Sequence, residues 1–361
     1  MTSVAPLVEG RRIVVCAGPG GVGKTTTAAA LAMGMAERGL KVGVVTIDPA
    51  KRLADSLGLE ELGNEPRLVD PERFSSHGVR MQGELWALML DSKRTFDALI
   101  ERLAPDAATR DEVLSNRIYQ QLSSAVAGSQ EFTAIAKLYE LDREGDFDLL
   151  VLDTPPSRNA LDFLDAPSRL TGFFQGRAIK MFVRPAGILG RGTGLVFGLM
   201  ERLTGVDLLH DLSVFFRALS GMMDGFTERA RRVAALLEDP GTTFLIVTAP
   251  RHDPVQEAIF FHRKLADAAM PFGGLVVNRL HEAERNGPLP PALAEELGAK
   301  LAGRVATAAH EFSALAEHDA ANLEHLRTTL GDPPTIVVPE LADDVHDVEG
   351  LALVRAHMFE R

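Results

Sequence analysis

Residues 18–25 read GPGGVGKT, which fits the spacing G-x-x-x-x-G-K-[ST]. Each part of that spacing has a chemical use. Gly18, Gly20, Gly21 and Gly23 let the backbone curl so that N–H groups of the stretch, Val22 among them, surround phosphate oxygens. The positive end of a helix opening at Lys24, Thr25 and Thr26 adds to the field. Lys24 has the length and charge to reach the β- and γ-phosphates of a nucleotide, and the Thr25 hydroxyl is a ligand for Mg²⁺. Asp153 closes the apolar run of LLVLDTPPS. A carboxylate at the tip of a parallel strand faces the ligand crevice, where it can hold Mg²⁺ through water. Before Pro155 and Pro156 it would on its own serve equally as a turn former, but beside a phosphate loop the metal role is favoured. Asp48, in TIDPAKRLADSLG, is placed to orient an attacking water, and with Pro49 beside it also fits a helix N-cap.

Such residues need strands that deliver them to one edge. IVVCAG (13–18), KVGVVTI (41–47), LWALML (85–90), DLLVLD (148–153), FLIVTA (244–249), GLVVN (274–278) and TIVVP (335–339) are β-branched-rich and apolar on both faces. That is the signature of a parallel sheet covered by helices. Helical periodicity fills 23–38 and 253–269. The expected fold is α/β: a doubly wound, mostly parallel P-loop core in a single domain, 1–361. Residues 92–145 and 158–240 carry no convincing strand and are expected to form an inserted helical subdomain.

Composition narrows the function. With 361 residues and 46% hydrophobic content the chain can bury a sizeable core. A net charge of −12 argues against nucleic acid as a partner. The single cysteine, Cys16, leaves no multi-cysteine zinc, iron–sulfur or metalloid site within one chain. His310, His318 and His325 are too far apart along a helix to chelate one ion and read as a solvated face. MTSVAPLVEGRR lacks the apolar core of a signal peptide, and no run approaches the roughly 18 apolar residues of a membrane span. A cytoplasmic protein is expected, with peripheral attachment to a membrane left open.

Taken together, GPGGVGKTT, TIDPAKRLADSLG and DTPPSRNALDFLDAP (153–167) resemble the ArsA-type ATPases, of the deviant Walker-A class. That family includes the bacterial arsenite-pump ATPase and the ATPase of guided entry of tail-anchored membrane proteins. The likeness extends to LVVNRL (275–280) and VPELADDVHDVEGLALV (338–354). It implies ATP and Mg²⁺ as cofactors, a dimer, Asp48 and Lys24 as catalytic residues, and adenine contacts from Asn278 and Pro339. Three departures stand out. There is no arsenite site, since the cysteines are missing. The switch run DTPPSRN puts Ser157, Arg158 and Asn159 where the family pattern resembles DTAPTGH. And Pro19 replaces the second-position lysine that, in this class, crosses to the phosphates of the other subunit. Either a homodimer uses Lys51, Arg52 or Arg158 instead, or a paralogue carrying the lysine completes a heterodimer.

Residues 169–226 hold seven phenylalanines and four methionines, with seven basic and four acidic residues. Phe and Met at helical spacing read as ordinary core. They also suit an adaptable groove for hydrophobic membrane-protein clients, which the family likeness favours. Its candidates are Phe173, Phe174, Met181, Phe182, Met200, Phe215, Phe216, Met222 and Met223. The expected function is therefore a Mg²⁺-dependent dimeric ATPase whose cycle opens and closes a helical client surface. The alternatives are a regulatory nucleotide-binding subunit of a heterodimer and a ParA/MinD-type partitioning ATPase.

Overall fold

A computed structural model describes residues 3–47, 51–117, 119–120, 129–154, 215–218, 220–282 and 291–360. The chain divides into two compact units. One comprises Met1–Met89, Asp146–Ala160 and Glu238–Arg361, and the other Leu90–Gly145 and Leu161–Leu237.

The first unit holds an eight-stranded sheet: β1 Ile13–Ala17, β2 Lys41–Thr46, β3 Arg67–Leu68, β4 Glu84–Met89, β5 Leu149–Asp153, β6 Thr242–Thr248, β7 Phe272–Leu280 and β8 Thr335–Pro339. The order across it is β3-β4-β2-β5-β1-β6-β7-β8. Every pairing is parallel except β3–β4. All seven apolar runs read from the sequence are strands, and the doubly wound α/β P-loop fold is what they build. β1, β5 and β6 are buried along their whole length, as strands covered on both faces must be. β3, two exposed residues on the sheet edge, carries no apolar pattern and was not foreseen.

The helix Lys24–Glu37 follows β1 and is buried almost throughout from Thr27 to Ala36. Its sequence, KTTTAAALAMGMAE, is rich in small residues, so it lies close both to the sheet and to the C-terminal helix Val348–Phe359. At the crossing, a Cβ on Gly34 would fall 2.2 Å from the Phe359 ring. The same ring takes the Arg38 guanidinium 4.4 Å from its centroid. Asp347 caps the C-terminal helix by accepting from the Gly350 N–H at 2.9 Å.

The second unit is helical where described, with Ser92–Leu103, Ala107–Ser115, Ser129–Glu144 and most of Met223–Glu238. Asp91 and Asp106 cap the first two by accepting from the N–H of Arg94 and Thr109. Its core is a run of rings: Phe96 stacks on Phe226 at 5.8 Å and on Tyr119 at 6.3 Å, and Tyr119 meets Phe215 at 6.4 Å. Tyr119 donates its hydroxyl to Asp97. Burial, then that neighbouring carboxylate, pushes the Tyr119 pKa well above the usual phenol value. Among the groove candidates, Phe215, Phe216 and Met222 are buried and Met223 is half-buried. The first three therefore stand in packed core here. Phe173, Phe174, Met181, Phe182 and Met200 lie outside the described residues.

His310, His318 and His325 are exposed on the long helical segment Pro291–Thr329. Among the described residues no helix is long and apolar enough to cross a membrane.

Because Phe359 fills the notch opened by Gly34, Phe359→Ala should lower unfolding stability by about 3–5 kcal/mol. Urea titration followed by circular dichroism measures it.

Candidate nucleotide site

Strand order sets the site. β1 lies between β5 and β6, and the loop after it emerges at the C-terminal edge of the sheet, where α/β proteins open their crevices. The loop is held there by contacts that a side chain would break. Gly18, at φ +155°, passes so close to β6 that a Cβ would stand 2.0 Å from the Val247 carbonyl oxygen. Gly23, at φ +91°, sits against Asn278, whose amide nitrogen would be 2.2 Å from a Cβ. That amide donates to the Val22 carbonyl at 3.0 Å, and Asn278 itself is buried.

Lys24 is 6% exposed and donates from Nζ to the Pro19 carbonyl at 2.8 Å. The ammonium is thus folded back over its own loop. Pro19 contributes a carbonyl, which any residue could supply, and its ring is buried. Gly18 and Val22 are also buried, and Gly20 is exposed.

Asp153 is 1% exposed at the tip of β5, in register with Cys16 of β1 and Thr46 of β2. Its Oδ2 accepts from the Thr25 hydroxyl at 2.7 Å and from the Thr46 hydroxyl at 2.9 Å. Thr154, next along, donates from its hydroxyl to the Cys16 carbonyl at 2.9 Å. Thr46 is a member of this cluster that sequence reading missed, since a threonine ending a β-branched run gives no separate signal. Burial, then the Asp153 charge, raises the Cys16 pKa far above the ordinary thiol value, with Lys24 opposing.

A cavity of about 430 Å³ opens over these residues. Gly21, Gly23, Lys24, Thr25 and Thr26 form its floor, with Thr154 and Arg52 beside them. Asn278, near the end of β7, and Pro339, at the end of β8, line it together, although they are far apart in sequence. Asp55, Arg279, Val354 and a segment after β8 that includes Glu340, Asp343 and Asp344 also line it, and sequence reading did not assign these residues to a site. Asp48 and Arg158 lie outside the described residues, so of the basic residues considered as replacements for the lysine, Arg52 reaches the cavity.

A glycine loop closed by a lysine and opening a helix, over a parallel sheet, defines a P-loop nucleotide-binding fold. Residues 11–292 match the family described as anion-transporting ATPase, and the chain belongs to that family. It is 27% identical over 257 residues to a protein of Aquifex aeolicus named as an arsenical pump-driving ATPase, covering 68% of this chain and 58% of that one. It is 26% identical to ATPase ARSA2 of Chlamydomonas reinhardtii, over 73% of this chain and 66% of that protein. With ATPase GET3 of Malassezia globosa it shares 26% identity, over 74% and 72% of the two chains. The match thus spans less than two thirds of the first two relatives' own length.

Two outcomes follow from the geometry. The Cys16 thiol, buried and held protonated, should resist N-ethylmaleimide at pH 8 in the folded protein and react only after unfolding, as read by intact mass. Asn278→Ala removes the loop's brace and should weaken ATP binding by about fivefold or more, in line with one buried hydrogen bond, as read by calorimetric titration. Unchanged affinity would show that the loop holds its shape without it.

Proposed function

We propose that this chain binds Mg²⁺·ATP in the cavity and hydrolyses the γ-phosphate, as a dimer whose nucleotide state governs a helical client surface. The observation that carries the reading is a cavity lined by Lys24, Thr25, Asn278 and Pro339, with the Thr25 hydroxyl bonded to the buried Asp153 behind it. The phosphates take the place of the Pro19 carbonyl as partner for Lys24 Nζ. Asn278 and Pro339 receive the base. Asp48 orients the attacking water.

The donor set suits Mg²⁺: a threonine hydroxyl and a buried carboxylate are hard oxygen groups, and they lie 2.7 Å apart. Thr25 would hold the ion directly and Asp153 through water. When bound, Mg²⁺ neutralises charge on the phosphate oxygens. Asp153 needs no rearrangement for this, because its position is already fixed by β2 and by the loop helix.

The helical unit is the part we assign to clients, by analogy with ArsA-type ATPases, with hydrophobic membrane-protein segments as the ligand class. The buried Phe215, Phe216 and Met222 would then become available only in another nucleotide state. Cytoplasmic residence accompanies this reading.

A second reading rests on Pro19. The loop carries no lysine to offer across a dimer, and charges supplied in trans are worth about 10³–10⁵ in hydrolysis rate. A heterodimer with a paralogue that keeps the lysine would give this subunit's ATP its missing charge, and the isolated chain would be a nucleotide-binding subunit of low turnover.

Purified chain should therefore bind ATP, lose binding on Lys24→Ala, and hydrolyse ATP slowly. Pro19→Lys should raise the steady-state rate of phosphate release. Fast hydrolysis by the unaltered chain, abolished by Arg52→Ala, would instead assign the cross-subunit charge to Arg52.

A further inference from the structure

Four non-glycine residues among those described have positive φ: Lys51, Ala269, Arg279 and Asp332. Lys51 precedes a helix, Ala269 follows one, and Asp332 lies in a turn. Arg279 is different, because at φ +62° it sits inside a strand. There the pairing of β7 with β8 slips. Val277 faces Val337 and Leu280 faces Pro339, so Asn278 and Arg279 together oppose Val338. This is a bulge, and bulges next to sites re-aim side chains. Its two residues both line the cavity. Asn278 turns to the phosphate loop. Arg279 turns to the segment after β8, with Nη2 3.3 Å from Asp344 Oδ1 and Nε 3.9 Å from Glu340 Oε2.

A left-handed conformation costs a side chain that glycine would not carry. The ion pairs do not offset it for the fold's sake, since Arg279 is 46% and Asp344 79% exposed and such pairs are weak. What distinguishes the position is its surroundings. Glu340, Asp343 and Asp344 all line the cavity, and three carboxylates on one wall oppose an anionic ligand. Arg279 is paired with two of them.

We propose that Arg279 is a positioning residue for the base end of the cavity. Held out by the bulge, it tethers the acidic segment 340–347 through Asp344 and Glu340 and offsets its charge against a nucleotide. The inference rests on the nucleotide reading above, and adds that ATP affinity depends on a residue outside the phosphate loop.

The test uses the full chain and the variants Arg279→Gly, Asp344→Asn and the double variant. Hydrogen exchange at 340–347 is followed without nucleotide, thermal unfolding by calorimetry, and Mg²⁺·ATP binding by titration. Arg279→Gly should leave the unfolding midpoint equal or higher, speed exchange at 340–347, and weaken ATP binding about fivefold. Asp344→Asn should weaken it less, and the double variant no more than Arg279→Gly. A lower midpoint for Arg279→Gly would overturn the proposal by making the side chain a support of the fold. So would unchanged exchange with unchanged ATP affinity. If the unaltered chain fails to bind ATP while exchange still rises in Arg279→Gly, the nucleotide reading falls and the tether stands.

Discussion

The site depends on one buried carboxylate. Asp153 is almost wholly withdrawn from water, and burying a charge is costly unless hydrogen bonds compensate it. Two of those bonds come from Thr25, in the helix after β1, and Thr46, at the end of β2. The donors are supplied by different segments, so the compensation fixes where three chain segments end relative to one another. Displacing any of the three strips hydrogen bonds from a charge that cannot reach bulk water. The same charge acts sideways on Cys16, whose thiol it helps to keep protonated, so the lone cysteine is part of the packing.

The parts legible in the sequence were those with a repeated physical cause. Seven strands announced themselves because burial on both faces demands unbroken apolar runs, and the phosphate loop because its glycines, lysine and threonine each answer a separate requirement at fixed spacing. β3 was not legible, because two exposed residues carry no pattern. The bulge at Asn278 and Arg279 was not legible either, since nothing about an arginine announces a left-handed backbone. Asn278 was singled out through family likeness as a contact for adenine. Its bond to Val22 is a second use, visible only once a strand tip and a loop far apart in sequence are brought together. Phe215, Phe216 and Met222 show the limit of composition, since an apolar residue looks the same whether it waits for a ligand or, like Phe215 on Tyr119, packs inside.

The two ends of the cavity are built on different principles. At the phosphate end the backbone dominates: glycine geometry, the helix start and the Pro19 carbonyl leave little freedom for substitution. At the base end side chains dominate, through Asn278, Arg279 and an acidic segment tied at a strained residue. The stretch matched to the anion-transporting ATPase family, 11–292, contains the motif residues of the phosphate end and also Asn278 and Arg279 of the base end. Pro339 and the acidic segment fall beyond that stretch.

The strand order has a consequence for how the molecule is made. Of the strands in this sheet β1 leaves the ribosome first, yet its neighbours are β5 and β6, from Leu149 and Thr242 onward. β2 and β4 can pair early, since little chain separates them. β1 must instead wait, apolar on both faces and attached to an unformed loop, while the chain as far as β6 is synthesised. Non-local pairing of this kind is slow and leaves hydrophobic strands open to misassociation. The phosphate loop waits longer, because its brace, Asn278, is made after both partners of β1. A nascent chain of this protein therefore completes its ligand site only after β7 is made, and a truncated chain ending before β7 would carry the complete glycine motif without the residue that braces it.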